Sequence, residues 1–92
     1  MNRKAIDMLW NFSEAEGRGG RRVRLDAVEA TIYLTLLKKE PYIVAYAELA
    51  ADAFDSKSKT GALASYIGRL RRKLGKRRIL TVTHRGYRLA GS

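Results

Sequence analysis

Apolar residues recur every three or four positions after Asp26, at Ile32, Tyr33, Leu36 and Leu37. This spacing places them on one face of a helix. Asp26 and Glu29 stand three residues apart, as in a capping box, where each side chain accepts a hydrogen bond from the other's free backbone N–H. Pro41 lacks the N–H that a longer helix needs. The pattern therefore predicts a first helix over residues 27–39.

A shorter pattern follows the first helix. Residues 42–44 are predicted to form an extended connector. A second helix is predicted over residues 46–54, where Leu49 and Ala53 lie one turn apart. Residues 55–58 are small or charged, which predicts a loop before the next element.

The third helix, predicted over residues 60–74, has the most regular apolar stripe, formed by Leu63, Ile67, Leu70 and Leu74. Thr60 or Ser58 is placed to cap its start. Gly75 stands where a left-handed C-terminal cap belongs. The side opposite the stripe carries Gly61, Ser65, Gly68, Arg69 and Arg72, and Arg71 and Lys73 lie on its flanks. The candidate contact residues among these are Ser65, Arg69, Arg71, Arg72 and Lys73.

The pattern changes to that of a β-hairpin after Gly75. Residues 77–83 are rich in β-branched side chains, residues 84–86 supply a turn, and residues 87–89 alternate again. The apolar residues expected in the core, without a chemical role, are Leu63, Ile67, Leu70, Leu74, Ile79, Val82 and Leu89. Tyr87 is expected to be buried with its hydroxyl at the surface.

The N-terminal part is ambiguous. Its apolar residues fit a helical stripe or an alternating strand equally well, because the run Ile6, Met8, Leu9, Trp10 and Phe12 is short. Residues 13–20 are predicted to be a loop, and residues 21–25 a short strand. We therefore expect an extension over residues 1–21, either an abbreviated sheet or an amphipathic helix, followed by one domain over residues 22–92.

Three helices followed by a β-hairpin are the layout of a winged helix-turn-helix. The expected fold class is α+β, with a three-helix core, a C-terminal hairpin wing and a short N-terminal strand or helix. Proteins of this layout insert the third helix into a major groove, and the wing follows an adjacent groove or backbone.

Charge is distributed unevenly along the chain. The 19 Lys and Arg exceed the 9 Asp and Glu, which gives a net charge of +10. Asp55 is the last acidic residue, so the net charge is −1 over residues 1–55 and +11 over residues 56–92. Surface helices usually mix both signs, and a face of uncompensated positive charge repels itself unless it binds a polyanion. The basic part covers the third helix and the hairpin, so double-stranded DNA is the expected partner.

Other chemistry has little support in the sequence. The 92 residues suffice for one core, and 46% of them are hydrophobic. The chain has no cysteine and a single histidine, His84, so an enzyme, a metal site and a cofactor are not expected. No apolar run is long enough to span a membrane, and no signal-peptide cleavage site follows the N-terminus. The expected location is cytoplasmic, in association with the nucleoid.

The candidate contacts differ in what they are expected to reach. Arg69 lies mid-helix, where it can reach a guanine or a phosphate, whereas Arg72 lies one turn later, where phosphate is expected. The small residues at the start of the helix admit two explanations: tolerance or close packing, and a close approach of base edges. Phosphate or minor-groove contact is expected before and along the wing, from Lys76, Arg77, Arg78, Thr83, His84 and Arg85.

Two motifs make the chain resemble a known family. They are the run Ile67-Gly-Arg-Leu-Arg-Arg-Lys-Leu74 and the wing from Thr81-Val82 to Gly86-Tyr-Arg-Leu89. With the capping-box segment, the Leu36-Leu37 pair and Glu48-Leu49, they resemble the winged-helix effector domain of OmpR/PhoB-type response regulators over residues 22–89. No receiver domain precedes these residues, so we expect a stand-alone regulator or an excised domain.

The resemblance implies roles for individual residues and partners. Ser65, Tyr66, Arg69 and Arg71 match positions that contact bases or phosphates in the family, and the wing would enter a neighbouring minor groove. Members often bind direct repeats as head-to-tail pairs, which implies a homodimer on DNA. In some members the loop before the third helix contacts RNA polymerase, and here that loop is about two residues short.

The sequence also departs from the family. Ala45 replaces the Ser or Thr that caps the second helix, and Thr83 replaces an arginine of the wing, for which Arg85 is a substitute. Residues 1–21 are too short for the family's whole four-stranded sheet.

The expected function is sequence-specific binding of double-stranded DNA by a transcriptional regulator. Two alternatives remain. One is an architectural DNA- or RNA-binding protein with little sequence preference. The other is a protein-interaction module that docks through the N-terminal apolar segment.

Overall fold

The computed structural model describes residues 9–11, as backbone only, and residues 14–90 with their side chains. The chain begins with a three-stranded antiparallel sheet of β1 (Leu9–Asn11), β2 (Glu14–Glu16) and β3 (Arg22–Arg24), in that order. Of the two forms expected for the N-terminal extension, the described residues adopt the sheet. Ile6, Met8 and Phe12, and the side chains of Leu9 and Trp10, lie outside the description.

The prediction of a loop over residues 13–20 is wrong at residues 14–16. Residues 14–16 form β2, and a 3₁₀ turn occupies Arg18–Gly20. The strand forms because β2 pairs with β3, which places Ala15 opposite Val23 and buries its methyl group. The flanking Glu14 forms an ion pair with Arg22, with 3.5 Å between carboxylate and guanidinium.

Three helices follow at the predicted positions: α1 (Ala27–Lys39), α2 (Tyr46–Phe54) and α3 (Thr60–Leu74). The capping box at the start of α1 is confirmed. Asp26 Oδ1 accepts from Glu29 N at 2.7 Å, and Glu29 Oε1 accepts from Asp26 N at 2.9 Å. Ala45 stands at the N-cap of α2 and supplies no side-chain hydrogen bond.

Both predictions for the ends of α3 need correction. Lys59 is its N-cap and makes no side-chain cap bond, because an ammonium group has no acceptor for a backbone N–H. The Ser58 hydroxyl lies 3.0 Å from that of Ser56, and Thr60 is already helical. Gly75 has φ 111° and ψ 142°, so it has positive φ but not the left-handed helical conformation.

The wing belongs to a second antiparallel sheet of β4 (Val44–Ala45), β6 (Gly86–Leu89) and β5 (Ile79–Val82), in that order. The connector before α2 therefore pairs with the returning strand of the hairpin. Gly86 lies so close to β4 that a Cβ on it would collide with the carbonyl of Val44.

The core lies where α1, α2 and α3 meet the inner side of the wing. The predicted core residues that are buried are Leu63, Ile67, Leu70, Leu74, Ile79 and Leu89. The prediction of Val82 as a core residue needs correction, because its side chain is only half-buried. Tyr33, Leu36 and Leu37 of α1 complete the centre, and Tyr87 is buried against the edge of the Tyr46 ring. The apolar stripe of α3 thus points inward, so its opposite side faces outward.

Candidate nucleic-acid interface

The outer line of α3, which we define as Gly61, Ser65, Gly68 and Arg72, faces away from the core. Gly61, Ser65 and Arg72 are exposed and Gly68 is half-buried. A Cβ on Gly61 or Gly68 would meet nothing within 4 Å in the described part of the protein. Close packing on a neighbouring helix is therefore excluded there as the reason for glycine, and the backbone of α3 is open to an incoming ligand.

Arg69 lies beside this line and is held from two sides. Its guanidinium carbon stands 4.8 Å from the centre of the Tyr66 ring, and its Nη1 lies 3.4 Å from Oδ2 of Asp26. Tyr66 is half-buried and packs against the ring of Phe54. Both charged side chains of the pair are about half exposed, at 52% and 47%. The pair therefore lies in water and is weak enough to exchange for a stronger ligand.

Arg71 is used inside the protein. Its Nε and Nη2 donate to the carbonyl of Ile79 at 3.0 and 2.9 Å, and Nη2 also donates to Thr81 Oγ1 at 2.7 Å. The guanidinium thus ties α3 to the first strand of the wing. Burial raises the pKa of the nearby Tyr87 hydroxyl, with a further contribution from Tyr46, whereas the charge of Arg71 opposes the rise.

Lys73 and Arg78 also have partners within the fold. Lys73 Nζ donates to Glu29 Oε1 at 2.7 Å and to the carbonyl of Arg24 at 2.8 Å, and Glu29 is only 1% exposed. Arg78 donates from Nη1 to the carbonyl of Ala90 at 3.2 Å and from Nε to the Tyr33 hydroxyl at 3.4 Å. Replacing either Lys73 or Arg78 would therefore destabilise the fold, in addition to any effect on ligand binding.

The remaining predicted contacts lie exposed at the surface. They are Ser65 and Arg72 on α3, and Lys76, Arg77, Thr83, His84 and Arg85 before and at the tip of the wing. The tip is a tight turn in which Arg85 N donates to the carbonyl of Val82 at 2.9 Å and His84 has φ 65°. This turn exposes the three consecutive side chains of Thr83, His84 and Arg85.

Sequence reasoning missed Asp26 as part of this surface. Its capping role was predicted from Glu29, but its second carboxylate oxygen faces Arg69, 43 residues later. Nothing in the local sequence indicates this contact, since it depends on how the start of α1 packs beside α3.

The geometry offers no support for a metal centre within residues 14–90: they contain no group of three His, Cys, Asp or Glu side chains placed to hold an ion. In the same described part, no helix has the length and hydropathy of a membrane span.

A comparison with protein families matches residues 20–89 to the family described as "Transcriptional regulatory protein, C terminal". The chain belongs to this family. It is a DNA-binding effector domain of the OmpR/PhoB type, as the two motifs in α3 and the wing indicated. A comparison with curated protein sequences finds no match.

Three solved structures are similar in fold to this chain. The DNA-binding domain of Bacillus subtilis CssR has a TM-score of 0.71 at 19% identity, over 84% of this chain and 90% of that one. The AdeR DNA-binding domain, in complex with an intercistronic region, has a TM-score of 0.73 at 20% identity, over 87% of each chain. A RitR mutant has a TM-score of 0.68 at 26% identity, over 82% of this chain and 36% of its own.

Proposed function

We propose that this effector domain binds double-stranded DNA in a sequence-specific manner. The outer line of α3 enters the major groove with Arg69 beside it, and the wing lies on an adjacent minor groove or on the backbone. The observation that carries this proposal is the outward face of α3, where bare helix backbone at Gly61 and Gly68 adjoins Ser65 and an exposed arginine.

Arg69 is the side chain that fits base recognition best. A guanidinium forms two parallel hydrogen bonds to O6 and N7 of guanine, and each such pair contributes about 1–3 kcal/mol of discrimination. Its exposed pair with Asp26 contributes little, about 0–1 kcal/mol. Exchange of the carboxylate for a base edge is therefore favourable. Tyr66 beneath the guanidinium limits its orientations and so prepares it for planar recognition.

Phosphate contacts are assigned to the exposed cations around this face. Arg72, Lys76 and Arg77 follow it toward the wing, and Arg85 projects from the wing tip with Thr83 and His84 beside it. Arg71 and Lys73 are assigned to positioning of the wing and of α1, since their hydrogen bonds are made within the protein.

Assembly and location follow from the same proposal. The family resemblance supports two copies in head-to-tail order on direct repeats. RNA polymerase is a candidate partner because some members of the family contact it through the loop before the third helix, but the shortening of that loop here argues against contact at this place. A regulator of this kind acts on the nucleoid in the cytoplasm.

The test compares Arg69→Ala with Arg77→Ala on a preferred duplex and on its scrambled version, by fluorescence anisotropy at near-physiological salt. We expect Arg69→Ala to lose about 1–3 kcal/mol on the preferred duplex and little on the scrambled one. Arg77→Ala should weaken both duplexes alike and lower the salt slope by about 0.9. If Arg69→Ala binds both duplexes as the wild type does, Arg69 does not read a base. If the wild type binds both equally, the architectural alternative replaces the proposal.

A further inference from the structure

A second basic surface lies between the N-terminal sheet and the last turns of α3. It is a groove, which we call the arginine groove, lined by Arg18, Gly19, Arg21, Val23, Arg72 and Lys73. Arg18 and Arg21 come from the part of the chain with a net charge near zero, 51 or more residues before Arg72. The fold brings them to the end of the helix that carries the outer line.

The turn that holds the two arginines is tightly built. Gly17 N donates to the carbonyl of Arg21 at 2.6 Å, and Gly19 and Gly20 have φ of 64° and 79°, which favour glycine. A Cβ on Gly17 would stand 2.6 Å from the backbone oxygen of Lys73, so the turn rests directly on α3. The position of the arginines is therefore set by backbone packing.

The three arginine charges in the groove are not balanced within the described part of the protein, whereas Lys73 is paired with Glu29. Arg18, Arg21 and Arg72 are exposed, and none of them has an acidic partner among the described residues. By contrast, the neighbouring Arg22 pairs with Glu14 and Arg69 pairs with Asp26. Three guanidinium groups around one groove repel each other unless an anion lies between them.

We propose that the arginine groove binds the phosphodiester backbone of duplex DNA, as a contact outside the major-groove site. Arg72 belongs both to this groove and to the outer line of α3, about 10 Å along the helix from Ser65. A strand that borders the major groove at Arg72 thus continues onto Arg21 and Arg18. Guanidinium groups bind phosphate oxygens with two parallel hydrogen bonds.

The inference rests on the proposed function, and it adds the N-terminal turn to the DNA-binding surface. The groove favours a nucleic-acid backbone over an acidic protein segment because it is continuous with the outer line of α3. An acidic peptide is an outcome of the test.

The test uses the double variant Arg18→Gln/Arg21→Gln and the control Arg22→Gln. Successive side chains of a strand point to opposite sides. Val23 lines the groove, so Arg22 points away from it while carrying the same charge. Affinity for one duplex is measured by anisotropy across a salt series, and thermal unfolding checks the fold. Arg18→Lys/Arg21→Lys keeps the charge and should retain most of the wild-type salt slope.

Loss of two phosphate contacts should lower the slope of log affinity against log salt by about 1.8. Between about 50 and 200 mM salt, the wild-type affinity should then fall about tenfold more than that of the double variant. The loss should be the same on preferred and scrambled duplexes, and Arg22→Gln should keep the wild-type slope.

An unchanged slope in the folded double variant would overturn the inference, as would an equal loss in Arg22→Gln. Binding of a polyglutamate peptide that disappears in the double variant while the duplex slope stays unchanged would assign the groove to an acidic protein. A different outcome would contradict the proposed function. In that case the wild type itself would bind preferred and scrambled DNA with equal affinity.

Discussion

At the scale of single residues, the arginines of α3 have different environments although they are close in sequence. Arg69 is exposed and paired with Asp26, Arg71 is bonded to the wing, and Arg72 has no acidic partner among the described residues. The helical period predicts which of them face outward. It does not predict the acceptors, because Ile79 O and Asp26 Oδ2 belong to other elements.

Asp26→Asn tests whether the carboxylate competes with DNA for Arg69. Oδ1 caps α1 and Oδ2 faces Arg69, so asparagine keeps a capping oxygen and removes the charge. We expect duplex affinity to rise severalfold, since an exposed pair contributes about 0–1 kcal/mol and a negative charge near the phosphates is lost. Stability should fall by no more than about 1 kcal/mol from the helix dipole.

The measurement is anisotropy at one salt concentration, with Glu16→Gln as the control for the change in net charge. Glu16 is exposed on β2, and its replacement should raise affinity less. Equal affinity of Asp26→Asn and the wild type would show that the pair does not restrain Arg69.

At the scale of elements, the sequence predicted the three helices with their bounds because apolar stripes are local signals, as are the capping box and Pro41 at the two ends of α1. β2 was missed because Glu14-Ala15-Glu16 contains one small apolar residue, and the strand exists through its pairing with β3. The arginine groove was missed for a related reason. The turn at residues 17–21 forms a groove only because it packs on α3, which is distant in sequence. Neither feature could be predicted from its own stretch of sequence, because each depends on a partner that is distant along the chain.

The bare backbone of α3 leads to a prediction for Gly68→Ala. Glycine in a helix interior is about 1 kcal/mol less favourable than alanine. A Cβ there meets nothing within 4 Å, so the melting temperature should rise. The added methyl group lies on the outer line, so duplex affinity should fall severalfold. Unfolding and anisotropy are measured on the same sample. A stabilised variant with wild-type affinity would show that DNA does not approach the helix here.

The brace between α3 and the wing leads to a prediction for Arg71→Ala. Loss of hydrogen bonds from a charged group to Ile79 O and Thr81 Oγ1 should cost about 2 kcal/mol of stability. Amide hydrogen exchange in β5 should accelerate, and affinity should fall without a change in preferred bases. Arg72→Ala is the matched control, because it should weaken binding and leave exchange in β5 unchanged. Wild-type rates of amide hydrogen exchange in β5 of Arg71→Ala would show that Arg71 does not position the wing.

At the scale of the whole molecule, net charge changes along the sequence at Asp55, from −1 over residues 1–55 to +11 over residues 56–92. The charge on the folded surface is not divided at the same place. The fold adds Arg18 and Arg21 to the basic side. It engages Arg71, Lys73 and Arg78 in hydrogen bonds within the protein. Under the arginine-groove proposal, the N-terminal part of the chain therefore contributes cations to the DNA-binding surface as well. Net charge predicted a polyanion partner, and the packing of distant elements determines which cations remain available for it.

The measurement that tests the central claim most directly is selection of bound duplexes from a random pool at near-physiological salt, with the wild type and Arg69→Ala in parallel. We predict that the wild type enriches one motif, spaced as a direct repeat, and that Arg69→Ala loses the preference at one base pair within it. Enrichment of no motif by the folded wild type, or of the same motif to the same degree by both proteins, would contradict the account.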